Sequence, residues 1–320
     1  MEPILFSEQA VQPSQAALIE LSFHQLKLHI APEAGGSIAA FYSVQDGTRQ
    51  HWLRPASEQA LRECNPEGMA SFPLIPFSNR LRDGRASFQG RQIEIPPAAK
   101  GHPLHGLAWR QPWTVTQQDA HSASLQLDFA GPDEDANGWP YKFSARQFFR
   151  LYEDKLSVMM EVENLDTVSM PLGMGHHPYF PREAGTRLTL SAAAMWQGDH
   201  EVMPTQLARP PLLEQLRNGL LIDDEALDNN FIGWEHNARV DWAATQHAPA
   251  RSLSLQAMSP FDFVVLYTPE GRDFFCVEPV SNCTDWLNLP SHPHAEIGGA
   301  VLAPGDTYSA GFTLTVSSAG

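Results

Sequence analysis

A chain of 320 residues, 42% hydrophobic and 10% aromatic, has enough apolar surface to close a real core and is not disordered. Its 37 acids against 21 bases give a net charge of −16, which argues against a nucleic-acid partner, because phosphate binding needs a basic face. Three cysteines (Cys64, Cys276, Cys283), none in a CxxC pair, argue against a disulfide framework or a zinc site built on thiolates. No apolar run approaches the roughly 18 residues of a membrane span. The opening Met1-Glu2-Pro3-Ile4-Leu5-Phe6-Ser7-Glu8 lacks the basic and apolar regions of a signal peptide. A cytoplasmic protein with no membrane partner is expected, and the sequon Asn282-Cys283-Thr284 reads as chance.

Along the chain, period-2 alternation is common and helical periodicity is scarce. Ile19 to Phe23 and Leu26 to Ile30 alternate about His24-Gln25 and predict a hairpin, followed by a Gly35-Gly36 turn and a strand over Ile38 to Tyr42. Ser57 to Glu63 holds fair helix formers and predicts a short helix. Prolines at 73 and 76 exclude a helix or central strand across Phe72 to Gly84, whereas Phe72, Leu74, Ile75 and Phe77 call for burial. An irregular buried loop presenting Asn79, Arg80 and Arg82 is expected, with Arg80 free for a ligand or paired to Asp83. Gly101 to Trp109 is a second glycine- and proline-punctuated segment, holding His102 and His105. Trp113 and Val115 lead into a strand, Leu125 to Phe129 alternates, and Gly131 to Pro140 reads as a polar loop.

The clearest β signal is Phe143 to Phe149 followed by Leu156 to Val162, turned at Glu153-Asp154, with the apolar set of the second strand on one face. Next, Gly173 to Pro181 contains His176-His177, of which at most one can enter a given cleft, since neighbours on a strand face opposite sides. Leu188 to Leu190 predicts a strand, Pro204 to Leu213 an extended connection, and Leu227 to Trp234 an Asx-rich turn carrying Asp228. Strands follow at Leu253 to Leu255 and Phe263 to Tyr267, then a turn at Pro269 to Gly271. A last strand runs through Phe312, Leu314 and Val316. No repeat, low-complexity tract or composition break divides residues 1–320, so one all-β domain, sandwich or barrel, is expected.

Phe274 to Asn282 reads as a buried strand that delivers one carboxylate, Glu278, just before Pro279, where a ladder should end or become irregular. A buried acid is costly unless it is paired or opens into a cleft. Glu278 is therefore either a structural glutamate or a proton-transfer group tuned by its surroundings. With Arg80, His105, His177 and Asp228 it forms a set of polar residues in irregular, aromatic-rich places. One guanidinium, two imidazoles, two carboxylates and nearby tryptophans suit a neutral polyhydroxylated ligand. His105 and Asp228 would equally serve as a loop histidine and a turn former. Trp109, Trp139, Trp234 and Trp286 read mainly as core, one of them lining the cleft.

The order Phe77-Ser78-Asn79-Arg80-Leu81, His105-Gly106, His177-Pro178-Tyr179-Phe180, Leu227-Asp228-Asn229-Asn230-Phe231 and Val277-Glu278-Pro279 resembles the aldose 1-epimerase (galactose mutarotase) family, as does the tail Leu302 to Asp306. The resemblance implies a large antiparallel β-sandwich that binds a hexose with no metal and no cofactor. It implies Glu278 as general base, His177 as general acid, and Asn79, Arg80, His105 and Asp228 around the sugar hydroxyls. The reaction implied is anomer interconversion of a free hexose, glucose or galactose, with acid and base facing each other across a pyranose-sized gap. A nearby carboxylate is expected to raise the His177 pKa. His176 stands where the family often has asparagine, and Leu107 where a second glycine is common.

Other readings are a glycosidase using Asp228 and Glu278, a metal site at His176-His177 or His292-Pro293-His294, and a sugar-binding module without turnover. A hexose-6-phosphate mutarotase of the same superfamily would need further cations near C6, and Arg82, Arg85 and Arg110 are the ones available. Nothing in the sequence selects between monomer and homodimer.

Overall fold

The computed structural model of the chain describes residues 17–96, 101–131, 138–223, 225–246 and 248–318. The reading of the extreme N-terminus and most of the Gly131–Pro140 loop lie outside these residues. Alternation becomes register in the hairpin Phe143–Leu151 with Lys155–Asn164, paired from Phe143 opposite Asn164 to Leu151 opposite Leu156. Leu156, Val158, Met160 and Val162 all point inward and are fully buried. A one-residue slip would turn that whole set to solvent, so burial fixes the pairing.

This hairpin lies within a nine-stranded sheet. From one edge the order is Leu220–Leu221, Arg187–Leu190, Asn237–Trp242, Arg251–Ala257, Thr307–Ser318, Lys155–Asn164, Phe143–Leu151, Ser122–Phe129 and Thr114–Gln118. A second, eight-stranded sheet runs Pro204–Ala208, Ala194–Gly198, Asp228–Ile232, Phe263–Tyr267, Phe274–Val280, Gly175–His176 and Pro73–Leu74, with Tyr179–Pro181 also on Phe274–Val280. The named strand pairs are antiparallel, as in Phe263–Tyr267 with Phe274–Val280. Leu255, Phe312 and Leu314 of the first sheet share one apolar cluster with Phe231, Val264, Leu266, Phe275 and Val277 of the second. The layers thus close face to face as a β-sandwich. Ile19–Phe23, Leu26–Ala31, Ser37–Gln45 and Thr48–His51 form a four-stranded sheet beside it. Among the described residues no helix is long and apolar enough to cross a membrane.

The predicted helix is present as Glu58–Glu63, started by the Ser57 hydroxyl, which accepts the Ala60 N–H at 3.1 Å. Three expectations change. Pro204–Ala208 is a paired strand and Leu212–Arg217 a helix, where the prolines suggested an extended connection. Pro204 only opens its strand, and Pro210 and Pro211 precede the helix, positions where a missing N–H costs little. Asp228 is not in a turn; it starts the strand Asp228–Ile232, because pairing to Phe263–Tyr267 overrides the Asx preference.

The strand Phe274–Val280 also continues through Pro279. On the flank away from Phe263–Tyr267, Phe274 to Cys276 pair with Tyr179–Pro181 and Val280 pairs with Gly175, leaving Val277 to Pro279 without a ladder partner there. The Pro279 carbonyl lies against Gly175, so the backbone edge of Pro279 faces that flank. The missing N–H falls where no ladder bond is required.

Candidate active site

Alternation along Phe274–Val280 sends Phe275 and Val277 into the sandwich core and Cys276, Glu278 and Val280 to the opposite face. Across the neighbouring strands, Cys276 is opposite Tyr267, and Tyr267 opposite Asp228. On the other flank Cys276 is opposite Tyr179. One face of the sheet thereby carries a row of Asp228, Tyr267, Cys276 and Tyr179, with Glu278 on the same face. This face floors a cleft of about 410 Å³, a volume suited to a small molecule. Glu278, His177, Arg80, His105, Asp228 and Asn79 all line it.

His177 occupies the interval between Gly175–His176 and Tyr179–Pro181, its N–H bonded to the Phe72 carbonyl at 3.0 Å. Its side chain and that of Glu278 are buried, with His177 Nε2 3.3 Å from Glu278 Oε1. The expected pyranose-wide separation is therefore absent. Geometry permits this, because the hydroxyl oxygen and the ring oxygen of a hemiacetal share one carbon, so their proton acceptor and donor belong side by side. His177 Nδ1 and Glu278 Oε2 have no hydrogen-bond partner among the described residues. Tyr179 stacks on the imidazole, centroids 4.6 Å apart at 13°.

Burial pushes the Glu278 carboxyl well above the ordinary carboxylate range, with Asp228 adding to the push and Arg80 opposing it. Burial likewise pushes His177 down to about 3, and Arg54 and His176 push the same way. The expectation that a carboxylate raises the His177 pKa is overturned, because burial, the largest cause, moves it the other way. Both shifts favour one resting state, a neutral acid beside a neutral imidazole, with one transferable proton between them.

His176 faces the other way. Its Nδ1 meets the Ser71 hydroxyl and its Nε2 lies 3.3 Å from Gln147 Oε1, across the sandwich. Only one of the adjacent histidines enters the cleft, as strand geometry demands.

The loops that close the cleft are held in unusual conformations. Asn79 and His105 have φ of +59° and +65°, the left-handed region that costs a residue with a Cβ energy unless its surroundings enforce it. Enforcement is visible. Ser78 is tied to Asn282 by the Asn282 Oδ1, which accepts the Ser78 N–H at 3.2 Å, and the Asp285 N–H donates to the Arg80 carbonyl at 2.9 Å. Asn282 is fully buried in these contacts, which leaves no room for a glycan. His105 Nδ1 accepts the Asn79 N–H at 3.2 Å, which puts the one proton of the neutral ring on Nε2 as a donor. Burial drives its pKa well down and keeps it neutral. At Gly106 a side chain would collide with the Ile75 carbonyl, 2.1 Å from where a Cβ would sit.

Arg80 pairs with Asp228 through both terminal nitrogens, each 3.5 Å from Oδ2, and not with Asp83. Burial raises the Asp228 pKa while Arg80 resists. Of the tryptophans, Trp109 lines the cleft, stacked on Phe72 at 5.1 Å. Arg82, Arg85 and Arg110 are not among the lining residues; Arg82 instead faces Asp199, Glu201 and Asp285. The cleft's other cations are Arg54 and Arg272, neither singled out by sequence. Tyr179 follows His177 by two positions, yet its contact with His177 depends on pairing that no local pattern reveals.

His177, Cys276 and Glu278 are the set of three metal-type donors that converges among the described residues, their ligand atoms within 4.8 Å of one another. They suit a cation poorly, because burial pushes the Cys276 thiol and the Glu278 carboxyl up, against the deprotonated forms that metal ligation needs. The cofactor-free expectation rests on the resemblance.

A family model described as aldose 1-epimerase matches residues 18–315, and the chain belongs to that family. It is 29% identical over 310 residues to the Escherichia coli K12 protein YphB, covering 92% of this chain and 97% of that one. It is 28% identical to YihR of the same organism over 219 residues, 65% of this chain and 68% of that one. A crystal structure of a proposed aldose 1-epimerase from Escherichia coli K12 superposes with a TM-score of 0.81 at 26% identity, covering 95% of this chain and 99% of that one. A galactose mutarotase-like protein from Clostridium acetobutylicum gives 0.81 at 18% identity over the same shares, a likeness of fold.

Proposed function

We propose that this member of the aldose 1-epimerase family interconverts the α and β anomers of a free aldose by acid–base opening and closing of the hemiacetal ring. The observation that carries the reading is the buried contact of His177 Nε2 with Glu278 Oε1 at 3.3 Å on the floor of the cleft.

Ring opening takes one proton from the C1 hydroxyl and gives one to the ring oxygen, so it needs an acceptor and a donor that together hold one proton. The Glu278–His177 pair holds that number. With the proton on the imidazole, Glu278 takes the hydroxyl proton while His177 supplies the ring oxygen; C1–O5 breaks, the aldehyde turns about C1–C2, and the reverse steps close the other anomer. These are the family's roles carried onto this chain, and they require substrate to draw the resting proton from carboxyl to imidazole. No net charge is created, which suits a dry site. Arg80, Asp228, Asn79 and the Nε2 donor of His105 supply groups for the ring hydroxyls, and the Phe72 and Trp109 faces offer apolar contact. Asp228 is engaged by Arg80, which favours a binding role for it over a second acid of glycoside cleavage.

Fresh α-glucose and α-galactose followed by polarimetry test the reading. Relaxation faster than in buffer is expected, with Glu278→Gln losing about 10²- to 10⁴-fold of the catalysed rate. Binding without any acceleration would leave a sugar-binding module instead.

A further inference from the structure

The groups assigned above account for C1, the ring oxygen and the ring hydroxyls, but not for one wall of the cleft. There the Arg54 guanidinium lies 4.0 Å from the Tyr179 ring centre and 4.6 Å from that of Phe274. Arg272 lines the same cleft two residues before Phe274. Arg80, the third cleft arginine, is engaged by Asp228, whereas no carboxylate of the described residues forms an ion pair with Arg54 or Arg272. Arg54 is half-buried and spends one terminal nitrogen on the backbone carbonyls of Glu67 and Met69, at 3.0 and 2.6 Å. The side chains of Glu67 and Asp273 are exposed, and Asp273 reaches Arg54 only through its longer-range field.

A chain with 37 acids to 21 bases has carboxylates to spare, yet among the described residues it sets no carboxylate against either of these two cleft guanidinium groups. The partly desolvated Arg54 guanidinium calls for an anion, the exposed Arg272 adds a second positive charge at the same cleft, and the planar donor forks of both match carboxylate and phosphate oxygens. Burial lowers the Arg54 pKa, the mark of a desolvated cation, and Arg272 adds to that strain by repulsion.

We infer that the preferred substrate is an anionic aldose, carrying a carboxylate or phosphate on a carbon remote from C1, with Arg54 and Arg272 as its specificity-determining residues. The substituent on C5 is the natural bearer. It neighbours the ring oxygen served by His177, and Tyr179 joins the two places, stacked on His177 and in contact with Arg54. This inference rests on the epimerase reading for its placement of C1 and extends it to substrate class.

Calorimetric titration of the full chain with glucose, glucuronate and glucose 6-phosphate, alongside anomer exchange measured on each sugar, tests it. At least one anionic sugar should bind about tenfold more tightly than glucose, the size of one good charged contact. A preference confined to glucuronate assigns the carboxylate; one confined to glucose 6-phosphate assigns the phosphate ester. Arg272→Gln, at an exposed position that should not disturb folding, should cut the anionic-to-neutral ratio about threefold or more, and added salt should shrink it further. Equal affinity for the neutral and both anionic sugars, or a ratio unmoved by Arg272→Gln, overturns the inference. Absence of turnover on every sugar would sink the epimerase reading, while the binding ratio would still decide this one.

Discussion

His176 and His177 are one peptide apart, both buried, and they face opposite sides of the same sheet. On the core side, His176 has a partner for each ring nitrogen, and Gln147 is itself fixed by donating to the Gly36 carbonyl at 3.1 Å. On the cleft side, His177 Nδ1, Glu278 Oε2 and Asn230 Oδ1 are buried without partners among the described residues. Both sides keep their imidazole neutral by burial, each pKa pushed to about 3. The difference is what the ring touches. A satisfied imidazole ties two sheets together, whereas the one beside Glu278 is the group to which the proposed reaction assigns proton transfer. Around His177 the cleft gives up hydrogen bonding that His176 keeps, as expected where function competes with stability.

The widest separation between the two sides should appear in rate. Glu278→Gln and His177→Asn should each cost about 10²- to 10⁴-fold in kcat/KM, because each removes one end of the proton path. His176→Asn should stay within about threefold of the parent; an equal loss there would erase the contrast.

Stability should show the reverse order. His176→Phe strands Ser71 and Gln147 in the core and should cost about 1 to 3 kcal/mol by denaturant unfolding. A neutral effect would mean that the core contacts are not structural.

The pH dependence sharpens the comparison further. For catalysis the pair works while it holds one proton, and burial pushes uptake of a second proton down and loss of the last one up. The kcat/KM profile should be flat through neutrality, with no limb at the ordinary histidine value of about 6.5. A limb there would indicate an imidazole that titrates freely. For stability the sign runs with lowered histidines. His105, His176 and His177 are neutral when folded, so their contribution is complete above the unfolded value of about 6.5 and falls away as pH drops toward the folded values. Each site should remove about 1.4 kcal/mol per pH unit over that window. His176→Phe should reduce that slope by one site's worth.

The smallest effect expected is at Asp228. Asp228→Asn keeps the strand pairing but loses the charge facing Arg80, and should raise KM more than it lowers kcat. A purely kcat effect would place Asp228 in the chemistry.

Legibility in the sequence divides along the same line. The sandwich was readable because burying one face of a strand forces alternation, and Phe143 to Val162 carries it over a whole hairpin. Glu278 was readable as an acid out of place in an apolar run. His177, Arg80, Asn79, His105 and Asp228 were readable as polar residues at punctuated places, though only the family order joined them. Arg54 was not. It lies between Leu53 and Pro55 with no periodic signal, and its role depends on Tyr179 and Phe274, two strands brought together by pairing. The same holds for Pro279, whose place inside a strand depends on an unpaired stretch of the neighbouring flank.

A double-mutant comparison of anomer exchange, read by polarimetry on the parent, Glu278→Gln, His177→Asn and the combined variant, addresses the central claim most directly. If one shared proton passes between these two side chains, the combined variant should be no slower than the slower single one, since either change already breaks the path. Losses that multiply, or single variants as fast as the parent, would contradict it.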